Sequence, residues 1–212
     1  MKEKKTQRVE PRKPRQERAL HKVELILEAA MRLLGKGGLP ALTTNAVAET
    51  AGVSIGTLYQ YFAHKEAILD ALADREMAAL SERVMATLQE PAAMRPEERI
   101  VRVIRAVTSS YGGRRPVQRI VLGYSLARGG RKLAPLIERL VDYLAAHGRF
   151  AADGRVMATS RAEAFVLTNA FSGVMRGMIM AEDGSLPPQD EIEAALGRLM
   201  ANLTERRQAA GS

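Results

Sequence analysis

Apolar residues recur at helical spacing along almost the whole chain. Val23, Ile26, Ala30, Leu33 and Leu34 make one stripe of a helix expected from about Gln16 to Gly35. The GKGGLP that follows offers Gly35 and Gly37 as left-handed caps to end it. Ile68, Leu72, Met77, Leu80, Val84 and Leu88 mark the face of a long helix from about His64 to Leu88. Pro96 suits the first turn of another helix, whose Glu97 and Glu98 favour the positive end of the backbone dipole. Further helices are expected over about 116–128, 131–148, 160–182 and 189–207, with breaks at GGRRP, AADG and EDGSLPPQD. Strictly alternating β-branched runs are absent, so the expected fold class is all-α.

Between the first and the long helix lies TTNAVAETAGVSIGTLYQYFAHKE, residues 43–66. Thr43 or Thr44 can cap a helix that turns Val47, Ala48 and Ala51 to one side. Gly52 falls where a sharp turn needs positive φ, and Ser54 can cap the next helix. Leu58 and Phe62, four apart, share that helix's inward face. Helix, glycine turn, helix is helix-turn-helix spacing. Ala48 and Gly52 are small, as two closely crossing helices require.

The second helix shows an unusual outward side. Gly56 and Gln60 point away from Leu58 and Phe62, flanked by Thr57, Tyr59 and Tyr61. A purely solvated face would carry Lys and Glu. These short or planar hydrogen-bonding groups can instead press against a surface, and an outward glycine, worth about 1 kcal/mol of lost helix stability, suits close approach. His64 and Lys65 open the next helix, where a phosphate would match the lysine and the free N–H groups.

Charge now changes the picture. The 212-residue chain has a net charge of +8, and its first 22 residues hold nine basic side chains against three acidic ones. Such an arm is either a solvated tail or a grip on a polyanion. No cysteine is present, so there is neither a disulfide framework nor a thiolate site. No apolar run approaches the roughly 18 residues of a membrane helix, and no apolar core follows the charged N-terminus to make a signal peptide. A soluble cytoplasmic protein is expected. His21, His64 and His147 lack metal-ligand spacing, and SSYGG and RGGRK follow no strand, so neither is a phosphate loop. No enzyme signature and no cofactor are expected.

LTTNAVAETAGVSIGTLYQYFAHKEAILDAL, residues 42–72, resembles the DNA-binding motif of the TetR family of bacterial transcriptional regulators. The AGVSxGTLYxYFxxKE pattern is narrow, and the resemblance extends over about residues 18–80. It implies a three-helix DNA-binding domain (16–64, motif about 43–62) and a helical ligand-binding and dimerisation domain (65–212), preceded by the basic arm (1–15) that charge alone marks out. It also implies double-stranded DNA, a second copy of the chain and a small-molecule effector as partners. Thr44, Thr57, Tyr59, His64 and Lys65 would sit mainly at phosphates, and Ser54 is counted with the DNA-binding residues. Asn45, Ile55, Gly56, Gln60 and Tyr61 would meet base edges, although the angle of Ile55 also fits the core. The arm would reach phosphates or the minor groove.

The second domain gives a thinner signal. Ala170, Gly173, Gly177 and Ala181 form a stripe of small residues, read either as an intramolecular crossing or as a dimer seam. Ile192, Leu196, Leu199 and Leu203 would complete a four-helix seam from the last helix. Tyr111, Tyr124, Tyr143, His147, Phe165, Asn169, Ser172 and Met175 are candidate pocket residues, each with packing as its plainer role. The leading expectation is a repressor that holds a palindromic operator as a homodimer until an effector releases it. The alternatives are a DNA-binding regulator governed by a protein partner and an all-α enzyme with a remnant helix-turn-helix.

Overall fold

The computed structural model describes residues 15–90, 96–108, 115–128, 131–150, 156–181 and 185–202. Among them are nine α-helices: α1 (Arg15–Ala41), α2 (Thr44–Ala51), α3 (Ile55–Tyr61), α4 (Lys65–Gln89), α5 (Pro96–Thr108), α6 (Arg115–Ala127), α7 (Ala134–His147), α8 (Arg161–Met180) and α9 (Gln189–Asn202). A 3₁₀ turn at Arg131–Leu133 leads into α7. The arm expected over 1–15 lies almost wholly outside the described residues. The chain divides into two compact units, one ending at Ile68 and one starting at Leu69, with the division inside α4.

In the first unit, Ile26, Leu34, Leu42, Val47, Leu58 and Ile68 are fully buried. α1 outruns its expected end because Gly35 stays helical. The break falls at Gly37 (φ −146°, ψ 16°) and Gly38 (φ 63°, ψ −158°), which separate α1 into two pieces. Gly38 therefore supplies the left-handed residue that Gly35 and Gly37 were expected to provide.

The second unit closes around Met77, Leu80 and Val84 of α4, Ile104 and Val107 of α5, Leu122 of α6, Leu136 of α7, Met175 of α8 and Leu196 of α9. Polar ties fasten α7 and its lead-in to α4. The Lys132 ammonium donates to the Asp70 carbonyl (3.1 Å) and to the Asp74 carboxylate. The Arg139 guanidinium donates to Ser81 Oγ and to Glu82 Oε1, both at 2.7 Å. Tyr143 Oη donates to the Leu88 carbonyl at 2.7 Å, using up one of the carbonyls that a helix C-terminus leaves free.

The AADG break is framed by a small ribbon. Arg149–Phe150 pairs antiparallel with Val156–Met157, the one departure from all-α among the described residues. Two residues per strand leave no alternation to read in the sequence. α8 then starts on a capping box: Ser160 Oγ accepts from the Glu163 N–H at 3.2 Å, while Glu163 Oε2 accepts from the Ser160 N–H at 2.9 Å. It ends at Ala181, whose extended backbone (φ −63°, ψ 146°) takes that residue off the helical stripe it was expected to continue.

Candidate functional site

Local chemistry sets the α2–α3 hairpin. Thr43 Oγ1 accepts from the Ala46 N–H at 3.2 Å and caps α2. Gly52 ends α2 with φ 67° and ψ 31°, its N–H directed at the Ala48 and Glu49 carbonyls. The next N–H, of Val53, also reaches the Ala48 carbonyl, at 3.0 Å. Nothing lies within 4 Å of where a Gly52 Cβ would stand. The left-handed backbone, rather than a close helix crossing, is what requires glycine here. Ser54 Oγ accepts from the Thr57 N–H at 3.0 Å and caps α3, with the two hydroxyls 2.8 Å apart.

Leu58 and Phe62 turn inward and are buried. On the other side, Ile55, Gly56, Tyr59 and Gln60 are exposed, and Thr57 and Tyr61 are half-buried. The Ile55 ambiguity is thereby settled, since 39% of the residue is open to solvent. An added Gly56 Cβ would meet only Ser54 Oγ at 4.0 Å, so the fold itself does not demand a glycine at this position. Asn45 is exposed on α2. Thr44 Oγ1 lies 3.3 Å from Tyr59 Oη, tying the start of α2 to α3. No residue of α3, IGTLYQY, carries a formal charge.

The start of α4 differs from expectation. His64 Nδ1 accepts from the Ala67 N–H at 3.1 Å, so a ring nitrogen caps the helix. With Nδ1 accepting, the neutral ring carries its proton on Nε2. Glu66 Oε2 stands 3.4 Å from Nδ1. Lys65 is exposed beside them. The cap takes one of the N–H groups expected to be free for a phosphate, and leaves Lys65 and the Nε2–H as donors.

The second unit holds a narrow slot of about 60 Å³. Leu80 and Val84 (α4), Val107 (α5), Leu122 and Leu126 (α6), Leu133, Leu136, Ile137 and Leu140 (α7 and its lead-in), and Phe171, Ser172, Met175 and Arg176 (α8) line it. Of the expected pocket residues only Ser172 and Met175 are among them. Tyr124, half-buried on α6, lies under the Arg128 guanidinium, 5.4 Å from its ring centre. Tyr143 is committed to the Leu88 carbonyl and stacks on His147 at 4.4 Å, and His147 itself is exposed. Phe165 is 57% exposed. Asn169 is exposed and donates to the Phe165 carbonyl at 2.9 Å. These five are corrected to positions off the slot. Tyr111 lies outside the described residues. The aliphatic wall had no signal of its own, because its stripes read as ordinary core.

A second, wider cleft of about 490 Å³ opens between α4 and α7, with Asp74, Glu82, Arg131, Lys132 and Arg139 on its rim.

On α8, Ala170, Gly173 and Gly177 face solvent together with Val166, Val174 and Met180. On α9, Leu199 is 61% exposed and Ile192 half-buried, but Leu196 is buried in the core of its own unit and is corrected away from the seam. Leu203 lies outside the described residues. Among the described residues no three His, Cys, Asp or Glu side chains gather as a metal site. None of the described helices is long and apolar enough to cross a membrane.

Residues 26–72 match the family model described as bacterial regulatory proteins, tetR family. The HTH-type transcriptional repressor KstR of Rhodococcus jostii is 37% identical over 83 residues, which is 39% of this chain and 37% of that protein. The match thus spans little more than a third of the relative's length. A TetR-family transcriptional regulator from Streptomyces coelicolor superposes with a TM-score of 0.57 at 26% identity, over 88% of this chain and 99% of that one. The transcriptional regulator FadR from Bacillus subtilis, solved in complex with stearoyl-CoA, has a TM-score of 0.57 at 18% identity, over 85% of this chain and 96% of that one.

Proposed function

The chain belongs to the TetR family of bacterial transcriptional regulators, and from that premise we propose that it represses transcription by holding a palindromic operator as a homodimer and releasing it when a small molecule occupies the slot. The uncharged exposed side of α3 carries the proposal. A short helix pinned by Leu58 and Phe62 and capped by Ser54 displays Ile55, Gly56, Tyr59 and Gln60 outward, beside the cationic start of α4.

In the major groove that side would read bases. The Gln60 amide can pair with adenine N6 and N7, Ile55 can rest on a thymine methyl, and Gly56 lets the backbone approach. Asn45 and Tyr61 flank them. Thr44, Ser54, Thr57, Tyr59, His64 and Lys65 would hold phosphates and fix the register. The outer face of α8, with Leu199 of α9 beside it in sequence order, is the proposed seam. Selection from random duplex DNA by the full-length protein should enrich an inverted repeat; enrichment of no sequence overturns the proposal. On the selected operator, Gln60→Ala should cost about 1–3 kcal/mol and flatten preference at one base pair of each half-site. Equal preferences of the two proteins across a single-substitution library would take Gln60 out of the reading set.

For the effector, the slot of about 60 Å³ is smaller than the ~150 Å³ cavity that admits benzene. Binding must therefore widen it. A ligand shifts an equilibrium only through unequal affinity for the two states, and a slot that fits nothing until it opens favours the open one strongly. α4 supplies Leu80 and Val84 to the slot and begins at Lys65, directly after the reading hairpin. It is the proposed carrier of that change. The neighbouring fold of FadR with its bound stearoyl-CoA supports a ligand-responsive second unit.

A further inference from the structure

The slot's lining is chemically lopsided. Eleven of its thirteen side chains are hydrocarbon or thioether, and the two exceptions, Ser172 and Arg176, stand four residues apart on α8. That spacing places them on one side of the helix, one turn apart. Arg176 is exposed and Ser172 half-buried, so the pair marks the slot's solvent end. Among the described residues neither side chain has a hydrogen-bond or ion-pair partner, whereas Arg139, Lys132 and Arg161 are each matched to a carboxylate. The slot's wall is almost wholly carbon and sulfur, and a guanidinium and a hydroxyl at residues that border it offer polar groups to the end of a ligand seated there.

We propose that the effector is an elongated apolar carboxylate, its hydrocarbon body between the α4, α6 and α7 walls and its carboxylate on Arg176 and Ser172. This rests on the reading of the slot as the effector site. A guanidinium holds a carboxylate through two parallel charge-assisted bonds, and the serine hydroxyl supplies a third donor. A cationic amphiphile would bring like charge to Arg176. A neutral alcohol would fill the slot and leave the guanidinium unmatched. A compact polyanion would meet hydrocarbon where it needs donors. The wider cleft between α4 and α7 is a weaker candidate, since Lys132 and Arg139 there are already engaged by Asp74 and Glu82.

The test is titration of the full-length protein with decanoate, decan-1-ol and decyltrimethylammonium, followed calorimetrically. Decanoate should bind about tenfold or more tighter than decanol, as expected for a charge-assisted pair, and the ammonium weakest of the three. Arg176→Gln, at an exposed position, should bring decanoate down to the level of decanol and leave decanol unchanged, with Arg176→Lys in between. Leu140→Trp, or Leu126→Trp should the first fail to fold, should block the slot and reduce binding of all three. Equal binding of decanoate and decanol, or a decanoate preference that survives Arg176→Gln, overturns the carboxylate while leaving the slot as the effector site. Undiminished binding to both blocked variants, or no binding of any probe, overturns the carboxylate and the slot together.

Discussion

Leu58→Ala is expected to abolish specific operator binding while leaving the second unit folded. α3 has only seven residues, far fewer than an isolated helix needs to persist in water. Its orientation therefore depends on packing, and Leu58, with none of its surface exposed, is the anchor nearest the middle. Truncating a buried leucine costs about 2–5 kcal/mol, against a whole-domain stability of about 5–15 kcal/mol. A unit of this size lies near the bottom of that range, because small cores bury proportionally less surface. Thermal unfolding should show the first unit's transition moved sharply down with the second unit's in place, and operator affinity should fall to the non-specific level. By comparison, Gly52→Ala should cost about 1–2 kcal/mol, the strain of a Cβ in the left-handed region, because there is open space around that position. Wild-type operator affinity in Leu58→Ala would mean that something other than this core contact orients α3.

What the sequence made legible follows how local the determining chemistry is. The α2–α3 turn could be read residue by residue because its determinants lie within four residues of one another: the Thr43 cap, the left-handed Gly52, the Ser54 cap. The end of α1 was harder, since Gly35, Gly37 and Gly38 are interchangeable candidates for one left-handed position until packing selects Gly38. The ribbon around AADG is too short for any period. Gly52 also shows that the right residue can be chosen for a mixed reason: backbone φ matters there, and crowding does not.

Non-local determinants were the ones misjudged. Along α9 the apolar stripe Ile192, Leu196, Leu199, Leu203 suggested one face, yet Leu196 is buried and Leu199 exposed. The helix is rotated so that Glu193, 7% exposed, also faces inward. Its carboxylate accepts from the Gln189 amide at 2.7 Å and lies 3.6 Å from the Arg105 guanidinium. Hydrophobic periodicity cannot foresee a matched carboxylate on the buried side. The slot was missed for a related reason. Aromatic and polar residues such as Tyr143, His147 and Phe165 look like ligand contacts in isolation, whereas most of the lining is leucine, isoleucine and valine from α4 to α7, which sequence alone assigns to core. Only Ser172, Met175 and Arg176 bring chemistry other than hydrocarbon to it.

Gly177→Leu should split the dimer without harming the subunit. Gly177 is exposed on α8, and beyond its own helical turn no atom of the described residues lies within 4 Å of where its Cβ would be, so the single chain accommodates a larger residue. Leucine also favours a helix interior over glycine by roughly 0.8–1 kcal/mol, so the isolated subunit should melt no lower than wild type. The proposed seam responds in the opposite sense. Val166, Ala170, Gly173, Gly177 and Met180 recur at spacings of three and four along the solvent side of α8. Small side chains at the middle three let a partner backbone come close. A two-fold interface meets every substitution twice, and overpacking costs about 1–3 kcal/mol per site. DNA then amplifies the loss. A palindrome is held by two heads about one helical turn, 34–36 Å, apart, and linkage of the heads contributes about 10²–10⁴ in apparent affinity. Sedimentation should therefore show monomers, and full-operator affinity should fall by about 100-fold or more, with half-site affinity kept and the salt dependence reduced to that of one head. A Gly177→Leu protein that stays dimeric with normal operator affinity would remove this face of α8 from the seam, leaving Leu199 and Ile192 of α9 as its remaining described candidates.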